Sequence, residues 1–169
     1  MEKQKSILFV CTGNVFRSVA AETSFKKYLS DNGIEGWNVG SAGIEALPEA
    51  IDPKVLETLR ELGIDASAHE QKKLTREMLD RYDIVVGMAE NHIDYMKSEF
   101  GYARGLLFND LALGEMTSIW DIADDVPDHL HNRPAVEAKL ERTVKEICEK
   151  IPQVYQNAAL RLALQVSEE

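Results

Sequence analysis

Apolar and polar positions along this chain follow two alternating periods. Ser6-Ile7-Leu8-Phe9-Val10 is a continuous apolar run and predicts a buried strand. From Ser18 the period lengthens: Ala20, Ala21, Phe25, Tyr28 and Leu29 recur at helical spacing until Asp31-Asn32-Gly33, a good stop. Trp37 to Gly43 predicts a short strand running into a small-residue turn that allows close backbone approach. Asp52-Pro53 opens a helix with Val55, Leu56, Leu59 and Leu62 on one face, ending at Gly63. A connector over Ile64 to His69 precedes a short helix from Thr75 to Arg81. Asp83 to Met88 then predicts a strand apolar enough to be central.

Glu90 to Phe100 reads as helix, Gly105 to Phe108 as strand, and Leu111 to Asp128 as an irregular, acid-rich loop long enough to point to function. Val136, Leu140, Val144, Ile147 and Ile151 form one helical stripe, which Pro152 is expected to end or kink. A further helical segment, with Ala158, Leu162 and Val166 apolar, is expected to extend past the domain as a peripheral docking helix. The domain is therefore drawn at 1–151, with 152–169 as a C-terminal helical extension. Strands alternating with helices predict an α/β fold, a parallel sheet flanked by helices on both faces with the first strand central.

Composition narrows the function classes. A net charge of −10 argues against nonspecific nucleic-acid or anionic-membrane partners, and it requires any anion site to be locally positive. Two cysteines, Cys11 and Cys148, lie on unlike elements, pointing to a reducing compartment; Cys148 falls on an apolar stripe and reads as an inert core residue. No apolar run approaches membrane-spanning length, and the charged start from Met1 to Lys5 leads straight into a strand. The expected location is the cytoplasm.

The chemistry concentrates between Val10 and Ser18, Val-Cys-Thr-Gly-Asn-Val-Phe-Arg-Ser, a strand-to-helix turn. Backbone N–H groups converging beside a helix N-terminus form an anion cradle. In the pattern Cys-x5-Arg, Arg17 offers a planar fork to two phosphoryl oxygens while Cys11 sits beneath phosphorus. A helix N-terminus, an adjacent Arg and a hydrogen bond from Ser18 favour the thiolate, so one loop both activates a nucleophile and captures its target. Gly13 and Asn14 tolerate the tight curl. The plainer alternative is a buried cysteine ending a core strand beside a solvated Arg.

These residues resemble the low-molecular-weight protein tyrosine phosphatases over about Ile7 to Ile151. The family's loop signature, Cys-x-Gly-Asn-x-Cys-Arg-Ser-Pro, is met by Cys11 to Val19; its Ser-Ala segment by Ser41-Ala42-Gly43; its later Asp by Asp52 and its buried His by His69. Its Met-Asp-x-x-Asn run is met by Met88-Ala89-Glu90-Asn91, and its Asp-Pro acid motif by Val126-Pro127-Asp128-His129. The resemblance implies a four-stranded parallel sheet with the phosphate-binding loop after the first strand. It implies hydrolysis of phosphotyrosine proteins or small aryl phosphates through a phosphocysteine, releasing inorganic phosphate with no metal or cofactor. Cys11 would be the nucleophile, Arg17 the clamp and Asp128 the general acid. Thr12, Gly13, Asn14, Val15, Phe16, Arg17 and Ser18 would cradle the phosphoryl group, Leu47 would wall the cleft, and Ser18, Asn14, Ser41 and His69 would support the loop.

The departures from the family pattern carry consequences. Phe16 replaces a second loop cysteine, removing the reversible active-site disulfide; Val19 replaces Pro; Ala89 replaces an Asp that braces the loop; and His129-Leu130 replaces a cleft-lining Pro-Tyr. The rivals are an arsenate reductase on the same scaffold, which needs further thiols near the site, a phosphocysteine carrier, which needs no hydrolytic acid, and a catalytically weak phosphotyrosine-binding module.

Overall fold

The computed structural model describes residues 3–167, so the ends of the expected N-terminal start and C-terminal segment, Met1-Glu2 and Glu168-Glu169, lie outside the described residues. Strand β1 (Lys5–Cys11) leads into helix α1 (Arg17–Asp31), followed by β2 (Trp37–Gly43), α2 (Pro53–Glu61), α3 (Arg76–Arg81), β3 (Ile84–Gly87) and α4 (Glu90–Phe100). The chain continues through β4 (Leu106–Leu107), α5 (Phe108–Leu113), α6 (Ile122–Asp125) and α7 (Arg133–Val166). All strand pairs are parallel, in the order β2-β1-β3-β4, so β1 is internal and its carboxyl end opens where the first crossover leaves the sheet.

Successive β1 side chains point to opposite faces and feed two cores. Ile7 and Phe9 join Phe25, Leu59, Phe108, Val144 and Ile147 beneath α1, α2, α5 and α7. Leu8 and Val10 join Val85, Leu79 and Met96 beneath α3 and α4. Burial on both faces explains why β1 reads as an unbroken apolar run.

Three expectations change. The last strand is only two residues long, because Phe108 opens α5 inside what the sequence reads as strand and loop. The acid-rich loop also holds a one-turn helix, α6, whose N-cap is Asp121. Finally, Pro152 does not end the last helix: α7 runs through it to Val166. Val154, Ala158 and Leu162 are buried in the larger core, and the Tyr155 ring lies 5.2 to 6.0 Å from those of Tyr28, Trp37 and Phe25. That burial outweighs the helix hydrogen bond Pro152 cannot donate. Tyr155→Ala is therefore expected to cost about 2 kcal/mol, lowering Tm by roughly 6 °C in a thermal melt. An unchanged melt would restore the peripheral reading of this segment.

Candidate active site

Residues 12–16 curl between the end of β1 and the start of α1, and neighbouring segments tie them down. Ile44 and Glu45 donate backbone N–H groups to the carbonyls of Cys11 and Thr12, at 3.0 and 2.9 Å. Gly43 lies so close that a Cβ there would stand 2.6 Å from Thr12 O and 2.9 Å from Asn14 N. Those neighbours are backbone atoms that cannot swing away, which is the physical reason for a small-residue turn after β2. From the other side, Gln71 Nε2 donates to the carbonyls of Gly13 and Leu47 at 2.6 and 2.7 Å.

Asn14 is the hub of the loop. It is fully buried and is the one non-glycine residue with positive φ, 55°, among the described residues. Its side-chain oxygen accepts from Lys72 N at 2.8 Å, which fixes the orientation of the amide. Its Nδ2 donates to Ser18 Oγ at 2.9 Å and Ser41 Oγ at 2.8 Å, and its carbonyl accepts from His69 Nε2 at 2.8 Å. An amide nitrogen only donates, so the hydroxyl hydrogens of both serines point elsewhere. Ser18 donates to Cys11 Sγ, 2.9 Å away, and Ser41 to Glu22 Oε2 at 3.2 Å. Burial would raise the Glu22 pKa, but the hydrogen bond from His69 and the charge of Lys26 prevail and hold it below the usual carboxylate range. A buried carboxylate thus anchors a chain of hydrogen bonds that ends on the sulfur.

The Arg17 guanidinium is 2% exposed. Nη1 donates to Ile119 O at 2.7 Å; Nη2 donates to Thr12 Oγ1 at 3.2 Å and lies 3.4 Å from Asp121 Oδ2. Nε is buried and has no partner among the described residues. The backbone N–H groups of Gly13, Asn14, Val15 and Phe16 likewise find no acceptor among the described residues. An enclosed cation with an unmet donor, next to several free N–H groups and a helix start, is the donor set of an oxyanion.

These groups line a cavity of about 300 Å³ with Cys11, Thr12, Gly13 and Arg17 in its floor. Val15, Phe16, Leu47, Val136 and Leu140 contribute apolar wall, and Glu45, Glu49, Asp52 and Asp121 contribute carboxylates. Asp52 caps α2 and receives both Nη groups of Arg133 at 2.7 and 2.8 Å; those bonds hold its pKa below the ordinary range.

The expected wall residue Leu47 lines the cavity, and the expected acid does not. Asp128 is absent from the cavity lining, and its Oδ2 accepts from Asn132 Nδ2 at 3.0 Å in the turn before α7. Asp121, at the N-cap of α6, is the acid that faces Arg17. Asp124 accepts from the Asp121 backbone, and Asp125 pairs with Lys139 at 2.8 Å. Leu130 is 78% exposed, and neither it nor His129 lines the cavity, where Val136 and Leu140 provide wall instead. Cys148 is partly buried on α7 with its thiol pushed up to about 11 by burial, and it too is outside the cavity.

Sequence reasoning missed Asp121, Gln71, the Ile119 carbonyl and His92. His92 is fully buried under the loop, with Nε2 3.0 Å from Thr12 Oγ1. Its one sequence signal was its place directly after Met88-Ala89-Glu90-Asn91.

Known proteins are similar to this chain in sequence or in fold. An arsenate reductase of Bacillus cereus is 43% identical over 86 residues, covering 51% of this chain and 60% of that protein. The chain spans about three fifths of the length of the curated relatives it matches. Among solved structures, a YwlE arginine phosphatase mutant with a phosphorylated active-site serine is 28% identical at a TM-score of 0.76, covering 89% of this chain and 94% of that one. A low molecular weight protein tyrosine phosphatase from T. tengcongensis is 28% identical at a TM-score of 0.75, covering 90% and 98%. A family model for low molecular weight phosphotyrosine protein phosphatases matches residues 6–160, and the chain belongs to that family.

Proposed function

We propose that this protein hydrolyses phosphate monoesters through a phosphocysteine, with Cys11 as nucleophile, Arg17 and the loop N–H groups as the phosphoryl clamp, and Asp121 as general acid and base. The carrying observation is that Arg17 lines the same cavity as Cys11 while its buried Nε has no partner among the described residues. Burying a cation costs several kcal/mol unless an anion and hydrogen bonds compensate it, and a phosphoryl group supplies both. The Cys11 thiolate attacks phosphorus; the S–P bond forms as the ester P–O bond breaks, and Asp121 gives its proton to the departing oxygen. Water then attacks phosphorus and yields a proton to the Asp121 carboxylate. The S–P bond breaks, freeing inorganic phosphate and restoring the thiolate, which Ser18 stabilises.

Aryl phosphates, phosphotyrosine among them, are the substrates we assign first, because Val15, Phe16, Val136 and Leu140 offer a ring an apolar wall. A thiol relay of the arsenate reductase type is disfavoured: Cys148 is outside the cavity, its thiol is held protonated by burial, and Phe16 leaves the loop with one sulfur. A second substrate reading has its own support. Glu45 and Glu49 line the cavity, and no side-chain partner engages either carboxylate among the described residues. Carboxylates beside a phosphate site favour a phosphorylated group that is itself cationic, as in phosphoarginine, the residue class that the name of the YwlE neighbour implies for that protein.

Steady-state kinetics on a phosphotyrosine peptide and on phosphoarginine, for wild type and the Glu45→Gln/Glu49→Gln double variant, separate the two. Under the aryl reading, kcat/KM favours phosphotyrosine, and the double variant changes both substrates alike. Under the guanidino reading, phosphoarginine is preferred in wild type and loses about fivefold in the variant, the scale of two partly exposed charge pairs. No turnover of either, or of para-nitrophenyl phosphate, would remove the hydrolase reading altogether.

A further inference from the structure

His92, in the first turn of α4, is fully buried and does not line the cavity, yet one of its two ring hydrogen bonds reaches the phosphate loop. Ala89 N donates to His92 Nδ1 at 3.0 Å. Alanine has no side chain to cap this helix start, and the imidazole reaches back to take the orphan N–H, as a third helical residue does in a capping box. An Nδ1 that accepts carries no hydrogen, so the proton of the neutral ring is on Nε2. Burial first, and the nearby Arg17 charge second, push the His92 pKa down to about 3, so the ring stays neutral at any ordinary working pH.

Nε2–H therefore donates to Thr12 Oγ1, 3.0 Å away. Arg17 Nη2, which can only donate, reaches the same oxygen at 3.2 Å. A hydroxyl has two lone pairs and one hydrogen, and here two donors occupy both lone pairs. The Thr12 hydrogen is thus turned away from His92 and Arg17. Thr12 lines the cavity floor beside Cys11, and no acceptor for its hydroxyl hydrogen occurs among the described residues.

Resting on the phosphatase reading, we propose that His92 is a positioning residue that acts through Thr12: it holds the shared oxygen against Arg17 and leaves the Thr12 hydroxyl as an additional donor to the bound phosphoryl group. This makes the side chain of Thr12, and not only its backbone, part of the anion site. It also gives the loop a brace in a chain that has Ala89 where the family resemblance leads one to expect an aspartate.

The test uses the full-length protein and reads kcat and KM for para-nitrophenyl phosphate, the competitive inhibition constant of inorganic phosphate, and the ¹⁵N signals of His92. Turnover by wild type, lost in Cys11→Ser, establishes the underlying reading independently. Thr12→Val is expected to weaken phosphate inhibition by about tenfold or more, the loss of a hydrogen bond to a charged group. Thr12→Ser should rescue it to near wild type. His92→Phe should weaken phosphate inhibition to a similar extent, and the double variant with Thr12→Val should be no worse than Thr12→Val alone, because both act through one oxygen. The ¹⁵N signals should show one protonated ring nitrogen, Nε2, unchanged from pH 5 to 8. Wild-type phosphate affinity in Thr12→Val, additive losses in the double variant, or a ring that becomes doubly protonated in that range would each overturn the proposal. Should His92→Phe fail to fold, the Thr12 pair and the wild-type ¹⁵N spectrum still decide it.

Discussion

Cys11→Ser is expected to lower turnover of para-nitrophenyl phosphate by about 10⁴-fold or more, the scale on which removing a covalent nucleophile acts. Serine keeps the size of the side chain but presents a neutral hydroxyl to a site organised for an anion. Ser18 is placed to donate to the sulfur because Asn14 Nδ2 already occupies the Ser18 oxygen, and Asn14 is held in turn by Lys72 N, Ser41 and His69. A serine at position 11 inherits that donor and the field of Arg17 without the thiolate they stabilise. The variant should still bind phosphate, since Arg17 and the loop N–H groups are untouched, so the inhibition constant of phosphate should stay near that of wild type. Residual turnover above about one hundredth of wild type would place the nucleophile elsewhere.

How much of this was legible in the sequence depends on the range of the interaction involved. β1 and α1 were readable because their apolar periods are local and because the turn between them carries Gly13 and Asn14 at positions that need tight curvature. The small residues after β2 were readable as a close approach, and the backbone of Thr12 to Asn14 is what approaches. Asn14 was legible as a residue suited to the curl, whereas Ser41 and His69 entered only through family resemblance; the structure brings all three into one hydrogen-bonded chain with Ser18 and Glu22. His92 was not legible, because its tautomer is set by a backbone N–H three residues back and its target lies across the sheet end, 80 positions away in sequence. Pro152 misled because a local rule about helix interiors was overruled by tertiary burial of Val154, Ala158 and Leu162. The acid-rich stretch was least legible of all: four aspartates within eight residues carry no period, and a single turn of helix decides which one faces inward.

That choice sets the remaining large effect. Asp121→Asn is expected to slow hydrolysis of an aryl phosphate with a poor leaving group by about 10³-fold while slowing an activated one far less, so that the rate depends more steeply on leaving-group pKa. The reason is geometric. Asp121 is the aspartate of that stretch whose side chain both lines the cavity and lies beside Arg17, 3.4 Å from Nη2, whereas Asp124 caps Asp121, Asp125 is paired with Lys139 and Asp128 is tied to Asn132. Asparagine keeps the shape and the α6 N-cap acceptor, so the helix should survive, but it has no proton of the right acidity to give. Asp128→Asn is expected to stay within about twofold of wild type for both leaving groups, as surface substitutions commonly do. The leaving-group series run on both variants discriminates cleanly. A steepened dependence in Asp128→Asn with none in Asp121→Asn would mean that the loop rearranges around bound substrate and swings Asp128 inward, returning the proton-donor role to the position the family motif predicts.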